Sequence, residues 1–271
     1  MRKIFNLLFL CSLIFSCEDV IDVDLNTAEP RLVIDASIHW NKDTTGESQL
    51  IKLSLTAPYL DSEVPPATGA TVTITNSDNT IFNFIDENNL GLYKNENFLP
   101  VIGEVYNLTI IYNGETYVAT ETMTPVVSIE YIEQKNDGGF SGEEIEIKAY
   151  YTDPENAANF YLFSFSVLDK NTSALEVYDD EFTDGNQIFA FYSDDELESG
   201  DSIVIRNSGI SERTYNYLNI LLEQTDEDSG DPFQTQPATV RGNCVNQTNP
   251  TNFPLGYFRV SETDAFTYVV E

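Results

Sequence analysis

Residues 106–119 read YNLTIIYNGETYVA. Tyr106, Leu108, Ile110 and Tyr112 alternate with Asn107, Thr109 and Ile111, the period-two pattern of a half-buried strand. Asn113-Gly114 follows, and then Tyr117-Val118-Ala119. Asn-Gly between two strand-like runs is the strongest short hairpin signal, because both turn positions need positive φ. The same alternation recurs on either side. Leu32, Ile34, Ala36 and Ile38 alternate with Val33, Asp35 and Ser37; Ile51, Leu53 and Leu55 alternate with Lys52 and Ser54; Val72 and Ile74 sit among Thr71, Thr73 and Thr75. Further on, Ile145, Ile147, Ala149 and Tyr151 face one way while Glu144, Glu146 and Lys148 face the other. Residues 160–167 are nearly all aromatic or aliphatic and read as a central strand. Residues 188–191, 203–205 and 266–270 supply more. Strands joined by short turns without intervening helices predict a mostly β fold of antiparallel sandwiches.

One segment departs from this rhythm. After Ser211, residues Tyr215, Leu218 and Leu222 recur at helical spacing, and an acidic run ending in Gly230 follows. A serine cap, an apolar stripe and a glycine stop predict one short helix near 211–224. Patterning breaks at Met123-Thr124-Pro125-Val126-Val127, so the expected division is an N-terminal β-sandwich over 31–126 and a C-terminal β-rich domain over 127–271.

The N-terminus carries a different message. Arg2 and Lys3 precede a short apolar run that ends at Ile14-Phe15-Ser16-Cys17, and Glu18, Asp19, Asp22 and Asp24 follow. This order describes a secretory signal peptide over 1–16, too short to span a bilayer. Cys17 at the cut resembles a bacterial lipobox, which implies acylation of its thiol and an acidic tether over 17–30.

The formal charge of -32 becomes about -34 once Arg2 and Lys3 are removed. Such a chain repels phosphate backbones, which excludes nucleic acid as a partner. It also keeps the folded body off anionic lipid. A hydrophobic content of 41% is too high for disorder. With Cys11 and Cys17 outside the folded body, Cys244 has no disulfide partner and reads as a small buried hydrophobe.

Catalytic templates fail on inventory. His39 is the only histidine, so a two-histidine zinc motif is excluded, and no G-x-S-x-G elbow exists. His39 is expected at a strand end, facing solvent beside Trp40. Carboxylates are too abundant for any glycosidase pair to be singled out. The clusters Asp179-Asp180-Glu181 with Asp184, Asp194-Asp195-Glu196, and Asp226-Glu227-Asp228 with Asp231 read as solvated loops, with calcium as the alternative. None fits the EF-hand: with Asp180 first, Phe182 falls at the third position and Phe191 at the twelfth. The aromatics Tyr150, Tyr151, Phe160, Tyr161, Phe163 and Phe165 suggest sugar stacking, but alternation assigns at least half of them to a core.

Short pieces in a fixed order carry a family likeness: Cys17-Glu18-Asp19-Val20-Ile21-Asp22, Pro30-Arg31-Leu32-Val33-Ile34, Gly69-Ala70-Thr71-Val72, Gly91-Leu92-Tyr93, Gly103-Glu104-Val105-Tyr106-Asn107-Leu108, Gly242-Asn243 and Leu255-Gly256-Tyr257-Phe258. In these the chain resembles a family of Bacteroidota outer-membrane lipoproteins, known as a domain of unknown function and encoded beside Sus-type TonB-dependent receptors. Gly103-x-x-Tyr106-x-Leu108 also resembles the strand start of immunoglobulin-like and transthyretin-like sandwiches, where a tyrosine bonds back to the backbone across a corner.

The resemblance implies lipidation at Cys17, with Glu18 and Asp19 as the export signal. It further implies an outer-membrane, surface-facing location and a TonB-dependent receptor as partner. The expected function is non-enzymatic assistance in nutrient binding or uptake, with no cofactor assigned. An adhesion or envelope-scaffold module and a glycan-active hydrolase are the alternatives.

Overall fold

The computed structural model describes residues 29–58, 61, 63–139, 142–170, 172–225 and 240–271. Among the described residues the fold is mostly β, with one helix. Its organising element is the last strand, β15 (Leu255–Val269), 15 residues long. The first nine of these, from Leu255 to Thr263, pair with β1 (Leu32–Asn41) in parallel. From Thr263 onward β15 pairs antiparallel with β13 (Ser202–Gly209). One strand therefore carries a seven-stranded sheet across the molecule. On one side of β15 lie β1, β2 (Gln49–Leu55) and β5 (Leu92–Asn95); on the other lie β13, β10 (Phe160–Val167) and β11 (Thr172–Asp179).

Two smaller sheets cover it. One holds β14 (Val245–Asn246), β7 (Glu115–Thr122), β6 (Val105–Tyr112), β3 (Thr71–Asn76) and β4 (Ile81–Phe84); the other holds β12 (Gln187–Asp194), β9 (Glu144–Thr152) and β8 (Tyr131–Gly138). The first core joins Ile34, Ile38, Leu53, Ile74, Tyr106 and Leu108 with Phe258 and Val260. The second joins Ile147, Tyr151, Phe163, Phe165 and Ile205, and Phe266 packs against it. Phe258, Val260 and Phe266 are all even-numbered, so both cores lie on one face of the long sheet.

The core changes between Met123, which belongs to the first, and Val126, which belongs to the second. The division into 31–126 and 127–271 is nonetheless crossed, because residues 244, 258 and 260 pack in the first core. The parallel β1–β15 ladder causes this crossing. Other strand ladders among the described residues are antiparallel, as expected. Between the sandwiches the chain is pinned by β15 carboxylates. Val126 N–H donates to Glu262 Oε2 at 2.9 Å and Ile129 N–H to Asp264 Oδ2 at 2.8 Å.

Local chemistry accounts for the turns. Asn113 and Gly114 both have positive φ, 48° and 78°, as the β6–β7 hairpin requires. The Tyr106 hydroxyl accepts from Val101 N–H at 3.0 Å and donates to Leu99 O at 2.8 Å, the expected bond back across a corner. Tyr93 does the same with Ala70 N–H and Ala67 O. The helix, α1 (Glu212–Thr225), is capped by Ser211, whose Oγ accepts from Thr214 N–H at 3.2 Å.

Where β15 starts, three backbones stack. Gly256 has φ +87°, and a Cβ there would lie 2.0 Å from Ile34 O; a Cβ on Gly242 would lie 1.6 Å from Gly256 O. Only glycine permits that approach. Gly69 also has positive φ, +77°, but open space around it. Gly69→Ala is expected to cost about 1 kcal/mol, whereas Gly256→Ala, which adds a backbone clash, costs about 3 kcal/mol or more. Urea unfolding of the two variants side by side checks the difference.

Candidate functional site

At one end of the second sandwich, the β9–β10 loop meets the β11–β12 turn. Asp153, Asp180 and Asp184 converge there, with one oxygen from each lying within 4.8 Å of the others. Asp153 and Asp180 are buried, while Asp184 is exposed. Main-chain donors fix their orientation. Gly185 N–H donates to Asp153 Oδ2 at 3.3 Å, Asn159 N–H to Asp180 Oδ2 at 2.7 Å and Asn156 N–H to Asp184 Oδ1 at 2.8 Å. The Tyr161 hydroxyl donates to Asp153 Oδ1. Burial raises the Asp153 pKa, and the Asp180 and Asp184 charges raise it further, against the Tyr161 and Gly185 hydrogen bonds. Carboxylates crowded this closely repel, and a cation between them relieves the repulsion.

Beside this cluster, Asp179 Oδ2 accepts from the Tyr215 hydroxyl at 2.7 Å, fastening α1 to β11. Tyr215 also packs its ring on Phe160, with centroids 5.3 Å apart.

The model of the family described as Domain of unknown function (DUF4249) matches residues 18–267. The chain belongs to that family. No curated protein matches this DUF4249 chain. Among solved structures, a two fibronectin type-III domain segment from chicken tenascin is similar at 13% identity and a TM-score of 0.22, covering 67% of this chain and 91% of that one. A DUF4785 family protein from Legionella pneumophila is similar at 8% identity and a TM-score of 0.26, covering 66% of this chain and 52% of its own.

A second polar constellation of the DUF4249 fold lies on the long sheet's other face. In the parallel register Ser37 pairs with Arg259, His39 with Ser261 and Asn41 with Thr263. Arg259 Nε donates to Ser37 Oγ at 3.2 Å, and its Nη2 lies 3.2 Å from His39 Nε2. Arginine can only donate, so Nε2 accepts and the ring proton sits on Nδ1, 3.5 Å from Thr263 Oγ1. The expectation of a solvent-facing His39 is thus corrected. It lies within β1, half-buried against an arginine that a parallel partner brings from 220 residues away. Burial, then Arg259 and Arg206, lower its pKa to about 3. Burial also lowers that of Arg259, to about 10.

The other expected residues divide clearly. Cys17, Glu18 and Asp19 lie outside the described residues, as does the cluster from Asp226 to Asp231. Asp180 and Asp184 come together as one acidic cluster. Asp194 instead accepts from Tyr192 OH and Glu196 N–H within its own turn. Asp153, followed by Pro154, carries no local sign of the cluster in the sequence; its place there depends on strand pairing. Cys244 is buried and free, and burial pushes its thiol up to about 12, which removes it as a nucleophile.

Of the aromatics, Tyr151, Tyr161, Phe163 and Phe165 are core residues. Tyr150 faces outward, stacked on Tyr131 at 4.5 Å and packed against Phe189 at 5.3 Å.

His39 yields a pH prediction. Its folded pKa is depressed, so between pH 6.5 and about 3 the unfolded chain binds a proton that the folded chain does not. Its contribution to stability therefore falls as pH drops through that window. His39→Gln is expected to lose a few kcal/mol less than wild type between pH 7 and pH 4. Urea melts at the two pH values measure it.

Proposed function

We propose that the chain is a surface-exposed outer-membrane lipoprotein that assists a TonB-dependent receptor in nutrient binding or uptake, and is not itself an enzyme. The observation that carries this reading is the N-terminal order of bases, short apolar run, Ser16 and Cys17, followed at once by Glu18 and Asp19. Acyl chains on one cysteine contribute roughly 0.8 kcal/mol per buried methylene, and several together anchor a protein stably.

The fold suits such a tether. Residues 17–30 lead into β1 at Leu32, beside the start of β15. The opposite end of β15, Val269, lies about 46 Å away at ~3.3 Å per residue. Lipid at Cys17 would hold the near end at the membrane and carry the far loops outward. Strong acidity keeps the body from settling on anionic headgroups, leaving it available to a protein partner.

The adhesion or scaffold alternative has its own support. Tyr131, Tyr150 and Phe189 form an outward ladder across β8, β9 and β12, and Phe189 and Tyr131 are about two-fifths exposed. Such a platform offers π-faces to a partner or a glycan.

Cys17→Ala is expected to move the protein from the membrane fraction to the soluble one. A tagged wild type, purified from outer membranes, is expected to bring a receptor barrel with it. Membrane retention of Cys17→Ala overturns the anchor; a purification without a barrel overturns the partnership.

A further inference from the structure

Where α1 meets the start of β15, the fold leaves a cavity of about 550 Å³. That volume suits a small organic molecule. Arg213, Asn216, Tyr217 and Ile220 line it from α1 as one stripe at helical spacing. Tyr215, on the helix's other side, makes the contact with β10 through Phe160. The rest of the lining includes Val240, Arg241 and Tyr257. The chain carries 45 acids and 13 bases, yet two arginines and no carboxylate line this cavity. The acidity elsewhere does not cancel them, because exposed charges beyond about 8 Å are largely screened at physiological salt.

Arg241 is held in place without using its donors. Its guanidinium lies over the Phe253 ring, 3.8 Å from the centroid. Arg31 lies 4.0 Å from the same centroid and donates to Phe253 O at 3.1 Å. A stacked guanidinium keeps its N–H edge free for an oxyanion. Two guanidiniums at one ring also repel each other, and an anion beside them offsets that repulsion. Among the described residues neither Arg213 nor Arg241 makes an ion pair. Glu121, whose charge reaches Arg213, is buried and engaged instead by Ser211, Asn243 and Tyr257. The rings of Tyr217 and Tyr257, with centroids 4.6 Å apart, add an apolar surface to the same cavity.

We infer that this cavity binds a small organic anion, with its carboxylate or phosphate on Arg213 and Arg241 and its apolar body along Tyr217, Tyr257 and Ile220. Arginine suits both oxyanions, since its planar fork offers two N–H groups to two oxygens. The Asn216 amide and the Tyr217 hydroxyl are neutral donors lining the same space. An uncharged molecule of the same shape forfeits the charge-assisted bonds. The inference concerns the folded body alone and stands without the anchor or the receptor partnership.

The test is a saturation-transfer NMR titration of the full chain at fixed ionic strength. Phenyl phosphate and phenylacetate distinguish the two oxyanions, and 2-phenylethanol is the uncharged control. Saturable binding of at least one anion is expected, with a Kd in the low millimolar range or tighter, and binding of the alcohol about tenfold weaker or less. Arg213 and Arg241 are exposed, so replacing them leaves the core intact. Arg213→Gln and Arg241→Gln are each expected to weaken the anion about tenfold, the loss of one charge-assisted contact. Lys94→Gln, which removes an exposed base from β5, is expected to leave binding unchanged. Failure of both anions to saturate below about 10 mM overturns the inference. So does equal binding of the alcohol, which would mean an apolar patch only. Wild-type affinity in either arginine variant, or an equal loss in Lys94→Gln, overturns it as well. Circular dichroism of each variant before titration confirms that the compared chains are folded.

Discussion

The parallel ladder between β1 and β15 is the constraint on which the rest of the molecule depends. Parallel strands cannot be joined by a hairpin, and here the whole intervening chain serves as the connection. Because β15 runs past the end of β1, its residues from Thr263 on continue into a second set of strands. A single extended segment thereby belongs to two cores. The glycines at 242 and 256, the carboxylates at 262 and 264 and the contact between Arg259 and His39 all follow from laying that segment against the first strand. Changing the register by one residue would exchange the faces and bury Arg259 where Phe258 now packs.

Polar side chains complete what the ladders leave open. The Gln49 amide accepts from His39 N–H at 3.0 Å and donates to His39 O at 2.7 Å, continuing the β1–β2 pairing beyond its backbone register. The Asn243 amide does the same for Phe258, accepting from its N–H at 2.9 Å and donating to its carbonyl at 2.7 Å. Both amides are buried, so each substitutes for a strand where none fits. Asn243 also donates to Glu121 Oε1, which accepts from Tyr257 as well; burial still leaves the Glu121 pKa raised. Each such bond contributes about 0.5–1.5 kcal/mol net, but leaving one buried partner alone would cost more. Specific amide pairing therefore joins segments of this fold where backbone ladders stop.

Local features of the fold were legible in the sequence because they rest on neighbouring residues. Alternation at Leu32–Ile38 and Tyr106–Tyr112, the Asn113-Gly114 turn, the Tyr106 corner and the Ser211 cap need no information from distant chain. What escaped depends on pairing between remote segments. Residues 255–263 carry little alternation because side chains on both faces of the strand are buried, Phe258 and Val260 on one and Tyr257, Ser261 and Thr263 on the other. Without β15 in place, His39 reads as a strand-end residue. The acidic cluster was half legible, since Asp180 and Asp184 lie close in sequence. Asp153 joins them only because β9 and β11 end at the same corner.

The closing of the first sheet by the last strand also governs when the molecule can become itself. Val33 waits for Leu255, about 220 residues later in synthesis, before its open edge is covered. Until then β1 presents unpaired amides and carbonyls that invite foreign strands. Contacts of such separation fold slowly. A truncation near the C-terminus would therefore leave the N-terminal sandwich open along β1 and short of Phe258 and Val260 in its core.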